Sequence, residues 1–268
     1  MAPGDQAAID ARILTYYSEL FDESARLTTR SSQGALELIR TLQTIEAHSA
    51  GGRIVDIGGG PGVLARALAD AGNSVELIDP VPRHVDRATR AGISARVGDA
   101  RRLPFADAEF DAALVLGPLY HLADPDARVR ALKEAARVTR PGGVVFAGAI
   151  SRFSRFSSLH LGSAAPHEVT PDLVAVLTQG TSPPHLRFPA GHFHTADELQ
   201  TELEDAGLDV LEVIGVEGPA GFLLESITDA SDELTRAAVL VAQEASTIPA
   251  VRELSAHLLA VGVVPAAG

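Results

Sequence analysis

The sequence predicts a doubly wound α/β fold, and three observations carry that prediction. Short apolar runs alternate with helix-periodic segments between residues 53 and 150. A glycine-rich loop joins the first run to the helix behind it, and an acid closes the second run about twenty residues past the first glycine. In such a sheet, ligands lie beyond the carboxyl ends of the strands.

Before the first strand, Ile9, Ile13, Leu14, Tyr17 and Leu20, then Leu36, Ile39, Leu42 and Ile45, recur at helical spacing. The break at LTTRSSQG divides them into two or three helices. IVDI then reads as a buried strand, VLARAL as a helix and VELI as a strand. A helix follows from about Pro82 to Ala91, then SARV, then AALVL, a helix from about Pro125 to Thr139, and VVFAGAI. RPGG at 140–143 is expected to end that last helix and turn into the fifth strand.

Residues 151–195 interrupt the alternation. They hold five of the nine histidines (His160, His167, His185, His192, His194) and four of the nine phenylalanines (Phe153, Phe156, Phe188, Phe193), with Pro183-Pro184 among several serines. An insertion of this kind after a core strand is expected to be a lid or substrate-binding segment. TADELQTELEDAG restores the helical signal from an N-cap threonine with acids in its first turn. DVLEVIGVEG is a strand, about Asp229 to Glu244 a helix, and HLLAVGVV a last strand. The expected organisation is a helical cap over 1–48, a ligand-binding core over 49–150, the insertion over 151–195, and completion of the sheet over 196–268.

Composition narrows the chemistry. The chain has 268 residues, 46% of them hydrophobic, enough for a sizeable core. Without any cysteine, disulfides, thiolate metal sites and cysteine nucleophiles are excluded. Lys133 is the only lysine, which argues against Schiff-base catalysis. The net charge of -13 argues against nucleic acid as a partner, and no apolar run has the roughly 20 residues of a membrane helix. A soluble, cytoplasmic protein acting on small molecules is expected, and the Ala/Arg-rich usage suits a GC-rich bacterial genome. The oligomeric state is open, a homodimer being one expectation.

The loop VDIGGGPG decides which ligand is held. Gly58, Gly60 and Gly62 let a ligand lie against bare backbone beneath a helix N-terminus, which alone would suit a phosphate or another anion. Asp56, inside the strand just ahead of them, attracts an ammonium and repels a pyrophosphate. Val63 stands where a dinucleotide fingerprint has its last glycine. Asp79 can accept both hydroxyls of a ribose, and Asp99, in Gly98-Asp99-Ala100, can accept from an exocyclic adenine amine. An adenosine-containing ligand without a pyrophosphate fits these residues better than a dinucleotide.

VDIGGGPG, the acid of ELIDP, GDARRLPFADAEFDAAL and RPGGVV, in that order, resemble the class I S-adenosylmethionine-dependent methyltransferases, specifically the small-molecule type similar to ubiquinone-biosynthesis methyltransferases. That resemblance implies a Rossmann-like seven-stranded sheet with the last strand, here HLLAVGVV, antiparallel. It also implies S-adenosyl-L-methionine as cofactor and S-adenosyl-L-homocysteine as product. Carried over, Asp56, Gly58, Gly59 and Gly60 face the methionine part. Asp79 and Pro80 face the ribose, Gly98, Asp99 and Ala100 the adenine, and Leu116 with Gly117 lines the cofactor after the fourth strand.

Further candidates are Tyr17, on the N-terminal helix that covers the cofactor in similar enzymes, and Arg40, a charge-assisted donor for the methionine carboxylate. His121, in GPLYHL, is the first candidate for a base or substrate contact, followed by His192 and His194 of GHFHT. Those two with His185 or Asp197 could instead hold a metal, but their spacing matches no recognised metal helix, and no metal is expected. Phe153 and Phe156 are expected on one face of a lid helix. The expected reaction is methyl transfer to an oxygen or nitrogen of a small metabolite. Transfer to carbon of a quinone-like ring and a non-catalytic S-adenosylmethionine-binding role remain open alternatives.

Overall fold

The apolar runs assemble into one sheet whose strands alternate their side chains between two buried faces. In the computed structural model, which describes residues 5–162, 167–183 and 185–266, the chain begins with α1 (Gln6–Thr15), a π-helical turn (Tyr16–Leu20), α2 (Glu23–Thr28) and α3 (Ser32–His48). There follow β1 (Arg53–Ile57), α4 (Val63–Asp70), β2 (Ser74–Asp79), α5 (Pro82–Arg90), β3 (Ser94–Val97) and β4 (Phe110–Val115). Next come α6 (Pro125–Val138), β5 (Thr139–Ile150), α7 (Arg152–Leu161), α8 (Pro171–Gln179), α9 (Ala196–Asp205) and β6 (Asp209–Gly215). The chain closes with α10 (Gly221–Glu225), α11 (Asp232–Ala245), α12 (Pro249–Arg252) and β7 (His257–Val263). Pro184 and residues 163–166 of the expected insertion, with residues 1–4 and 267–268, lie outside the described residues.

The seven strands take the order β3-β2-β1-β4-β5-β7-β6. Neighbours from β3 to β5 pair parallel, while β7 pairs antiparallel with both β5 and β6. The order reverses between β1 and β4, which opens the crevice where ligands of such sheets bind. Val55, Ile57, Ala113, Val115 and Val145 face one side, packed with Leu132 of α6 and Leu199 of α9. Ile54, Leu77, Ala112, Leu114 and Phe146 face the other, against Leu64 and Leu68 of α4 and Ala88 of α5. That is the two-residue period of a strand buried on both faces.

RPGG is not a separate turn. Residues 140–143 belong to β5, where the register with β4 slips between Phe110↔Thr139 and Ala112↔Val144. The Gly142 N–H donates to the Val264 carbonyl and the Val264 N–H to that of Gly143, so the irregular stretch is held to the end of β7. Helix α6 stops one residue earlier, at Val138, with Thr139 as its C-cap. The N-terminal helices cross the open carboxyl edge of the sheet, where Ile9, Ile13 and Tyr17 form one buried stripe.

In the insertion, Phe153 is exposed, whereas Phe156 packs with Leu159 against buried Phe193. The two rings therefore do not share one wall. Residues 186–192 are tied to α1 and to the turn after β4, with the Leu186 carbonyl accepting from Arg12 and the Tyr120 carbonyl accepting from the N–H of Gly191 at 2.8 Å. Among the described residues, no helix is long and apolar enough to cross a membrane.

Candidate functional site

The glycine loop and the loop after β4 are built against each other. Gly58 has φ +73° and donates its N–H to the Ile78 carbonyl at 2.6 Å. A Cβ on Gly117 would stand 2.7 Å from the Gly58 carbonyl oxygen, so each loop requires the other to lack a side chain at the point of contact. They form one wall of a cleft of about 540 Å³ along the carboxyl ends of the strands, roofed by α1 and α2.

Three aspartates furnish polar groups beside the glycine loop. Asp56 is buried, and among the described residues its Oδ2 has no hydrogen-bond partner. Burial, with the charge of Asp79 added, pushes its carboxyl up to about 7. Asp79 closes β2, where Oδ2 accepts from the Gly60 N–H at 2.9 Å and Oδ1 from the Val81 N–H at 2.8 Å, with His84 Nδ1 at 3.2 Å. A carboxylate has about four acceptor positions, so one is left for a ligand hydroxyl. Asp99 is half exposed and held by Arg101, which donates from its N–H at 2.8 Å and from its guanidinium, while a further guanidinium bond at 2.9 Å reaches Asp10 of α1. Burial raises the Asp99 carboxyl, but the Arg101 bonds outweigh it and hold it below its ordinary value.

His121 sits in a 3-10 turn after β4, with Nδ1 2.7 Å from the Pro189 carbonyl and Nε2 3.2 Å from the Tyr17 hydroxyl. A carbonyl only accepts, so Nδ1 carries the proton, and Nε2 accepts from Tyr17. Burial lowers the imidazole to about 4 and raises the Tyr17 phenol well above its ordinary value, so both are neutral near pH 7. Tyr16, Tyr120, Phe21 and Phe188 surround this pair, with centroids of neighbouring rings 4.7 to 6.3 Å apart.

Of the residues singled out from sequence, Tyr17, Asp56, Gly58, Gly59, Gly60, Asp79, Pro80, Gly98, Asp99, Ala100, Leu116, Gly117 and His121 all line this cleft. Arg40, His192 and His194 do not. Arg40 is buried on α3 and donates to Gln43 at 2.9 Å, whereas Glu37, Leu38 and Thr41 of the same helix line the cleft. One residue along a helix is a rotation of about 100°, which takes Arg40 off the face that Thr41 presents. His194 is fully buried with Nε2 3.2 Å from Glu202, and His192 lies 3.5 Å from Glu198. Both imidazoles turn to α9, where partners for buried polar groups were available. The His192 and His194 rings lie 4.6 Å apart, but His185 lies near Asp172 instead and does not join them.

Sequence reasoning missed a polar group on the other half of the cleft. Arg26 of α2 pairs with Glu23 at 2.6 Å and Glu37 at 2.5 Å, and His257 opens β7 beside them. All four line the cleft, and no local motif marks them. Only Glu23 is a neighbour of Arg26 on α2; Glu37 comes from α3 and His257 from β7.

A sheet with a topological switch point, a glycine loop at the first strand and an aspartate in or just beyond each of the first three strands defines an α/β protein built for a nucleoside-containing ligand. Residues 55–147 match the family model described as Methyltransferase domain, and the chain carries the domain of the class I S-adenosylmethionine-dependent methyltransferases. Over 197 residues it is 33% identical to a 27-O-demethylrifamycin SV methyltransferase of Amycolatopsis mediterranei, a match covering 70% of this chain and 64% of that one. It spans about half the length of the mycobacterial methyltransferases it also matches. Its fold is similar to that of an S-adenosylmethionine-dependent methyltransferase from Thermotoga maritima (TM-score 0.58, 21% identity, 96% and 98% of the two chains). It is likewise similar to the 1,6-didemethyltoxoflavin-N1-methyltransferase of Burkholderia thailandensis, solved with its substrate and S-adenosylhomocysteine (TM-score 0.58, 17% identity, 99% and 91% of the two chains).

Proposed function

We propose that this protein binds S-adenosyl-L-methionine and transfers its methyl group to an oxygen or nitrogen of a small metabolite. The observation that carries this reading is the partnerless, buried Asp56 oxygen beneath the glycine loop. An ammonium satisfies it, whereas a phosphate would be repelled. Asp79 then takes a ribose hydroxyl, Asp99 with Ala100 the adenine, and Leu116 and Gly117 the edge of the cofactor. When bound, the cofactor supplies a methyl on a sulfonium. An acceptor lone pair would take that methyl while the carbon–sulfur electron pair stayed on sulfur and the acceptor's proton passed to water, leaving S-adenosyl-L-homocysteine as the neutral thioether.

His121 is proposed as a substrate contact, with Tyr17 its fixed neighbour. An imidazole lowered to about 4 holds a proton poorly near pH 7, so it suits positioning better than general-base work. The roofed cleft and the net charge of -13 favour a small acceptor over a nucleic acid. A soluble protein acting in the cytoplasm fits this reading.

Calorimetric titration with S-adenosylmethionine, S-adenosylhomocysteine and NAD tests the cofactor. Micromolar binding of the first two and none of NAD is expected, with an Asp79→Ala variant weakened about a hundredfold through the loss of charge-assisted bonds worth about 1.5–3 kcal/mol each. Binding of NAD alone would overturn the reading.

A further inference from the structure

The cleft has two halves set by strand order. Gly58, Asp79 and Asp99 lie at the ends of β1, β2 and β3, on one side of the switch point. On the other side, Ala149 of β5, Val216 after β6 and His257 of β7 line the remainder. Because β7 runs antiparallel, its first residue, His257, pairs with Ile150 at the end of β5 and so reaches the same edge.

His257 is held there by a built carboxylate. Glu217 is fully buried, and its Oε1 accepts from His257 Nδ1 at 2.5 Å. Its Oε2 accepts from the Ser255 hydroxyl at 2.7 Å and from the His257 N–H at 3.0 Å. Glu37 of α3 adds a second carboxylate 3.5 Å from Nδ1, and that carboxylate is itself bound by Arg26 of α2. With Nδ1 committed to Glu217, the ring leaves Nε2 for the cleft that the residue lines. Partial burial opposes charge on the ring, but Glu37 and Glu217 outweigh it and push the imidazole up to about 9. His257 therefore bears a proton on each nitrogen near neutral pH, the opposite of His121.

We infer that His257 donates a hydrogen bond from Nε2 to the reacting oxygen of a methyl acceptor whose hydroxyl ionises, a phenol or enol bound as its anion, and that Glu217 is the positioning residue behind it. This rests on the methyltransferase reading and narrows it from oxygen or nitrogen to an acidic hydroxyl. A phenol with pKa about 10 is ionised in about one molecule in a thousand at pH 7. An opposite charge close by lowers such a pKa by about 1–3 units, so the ionised share rises about tenfold or more and the released proton goes to water. A neutral amine gains nothing from this donor, because its only lone pair is the one that must attack. Glu37, Glu217 and His257 also converge within 4.8 Å, as ligands of a divalent cation would. The guanidinium of Arg26 on Glu37 and the proton on Nδ1 already supply the positive charge that those carboxylates need.

Ring-nitrogen NMR of the chelator-treated full chain saturated with S-adenosylhomocysteine gives the first readout. His257 is expected to stay doubly protonated at a pH midway between 6.5 and about 9. In Glu217→Gln it should lose that proton at the same pH. The second readout is titration with 4-nitrophenol, followed by its phenolate absorption, against 4-nitroanisole. The wild type should favour the phenolate, and His257→Gln should lose that preference by about tenfold while still binding S-adenosylhomocysteine. A neutral His257, equal binding of the two probes, absence of phenol binding, or stoichiometric zinc taken up by the three residues would each overturn the inference. Failure to bind S-adenosylhomocysteine would instead remove the methyltransferase reading, and the inference with it.

Discussion

The Tyr17 hydroxyl and His121 Nε2 meet at 3.2 Å across the cleft, joining the N-terminal helical cap to the turn after β4. Since His121 is neutral and its Nδ1 is tied to Pro189, the pair is a fixed contact. Tyr17→Phe should lower kcat/KM by about tenfold, the worth of one hydrogen bond of about 1–1.5 kcal/mol. His121→Asn should cost less than the roughly hundredfold or more that loss of a general base brings. Steady-state kinetics on an identified acceptor checks both, and a thousandfold loss in His121→Asn would make it the base.

Asp56 is expected to couple cofactor binding to pH. Its folded value, about 7, lies above the ordinary 3.8. The stability it contributes is therefore full below about 3.8 and is lost as pH rises through about 7. Denaturant melts of the ligand-free protein should show that decline, and Asp56→Asn should flatten it. S-adenosylmethionine affinity should rise through about pH 7 in the wild type, as the carboxylate ionises against the ligand's ammonium, and stay low in the variant.

Gly117→Ala tests the contact between the two loops. The added methyl would lie 2.7 Å from the Gly58 carbonyl, backbone against backbone, where nothing flexible can yield. A loss of about 1–3 kcal/mol in chemical denaturation is expected, with S-adenosylhomocysteine affinity reduced because Gly58 is displaced. Unchanged affinity would show that the loops move independently.

Arg128 and Glu202 form a buried ion pair at 2.7 Å, and the Arg128 guanidinium also donates to the carbonyls of Leu122 and Ala123, just after His121. Arg128→Met strands a buried carboxylate and should cost about 3–5 kcal/mol. Arg128→Met with Glu202→Leu should cost less than Arg128→Met alone, because the stranded charge is gone. Urea denaturation of the two variants measures the difference.

The sequence by itself determined the sheet strands and the half of the cleft lined by the glycine loop and the three aspartates. Those features are local: a glycine needed for a backbone turn, an acid at a strand end and an apolar run each lie within a few residues of the loop they define, as Asp56, Asp79 and Asp99 do. RPGG misled because a turn composition was absorbed into β5 by hydrogen bonds to Val264, a residue more than a hundred positions away. Arg40 misled because helix rotation, invisible without a docking partner, gave the cleft face to Glu37 and Thr41.

Only the tertiary structure decided the histidines. His121, His194 and His257 have the same side chain and the same ordinary pKa, yet two are held neutral by burial and the third is charged by two carboxylates. What separates them is whether the facing carboxylates outweigh burial: Glu202 alone does not at His194, whereas Glu37 and Glu217 together do at His257. For His257 the closest partner, Glu217, comes from the loop after β6 and the second, Glu37, from α3, brought together by the antiparallel insertion of β7 between β5 and β6. Charge on an imidazole depends on distances in space, and no spacing along the chain encodes them.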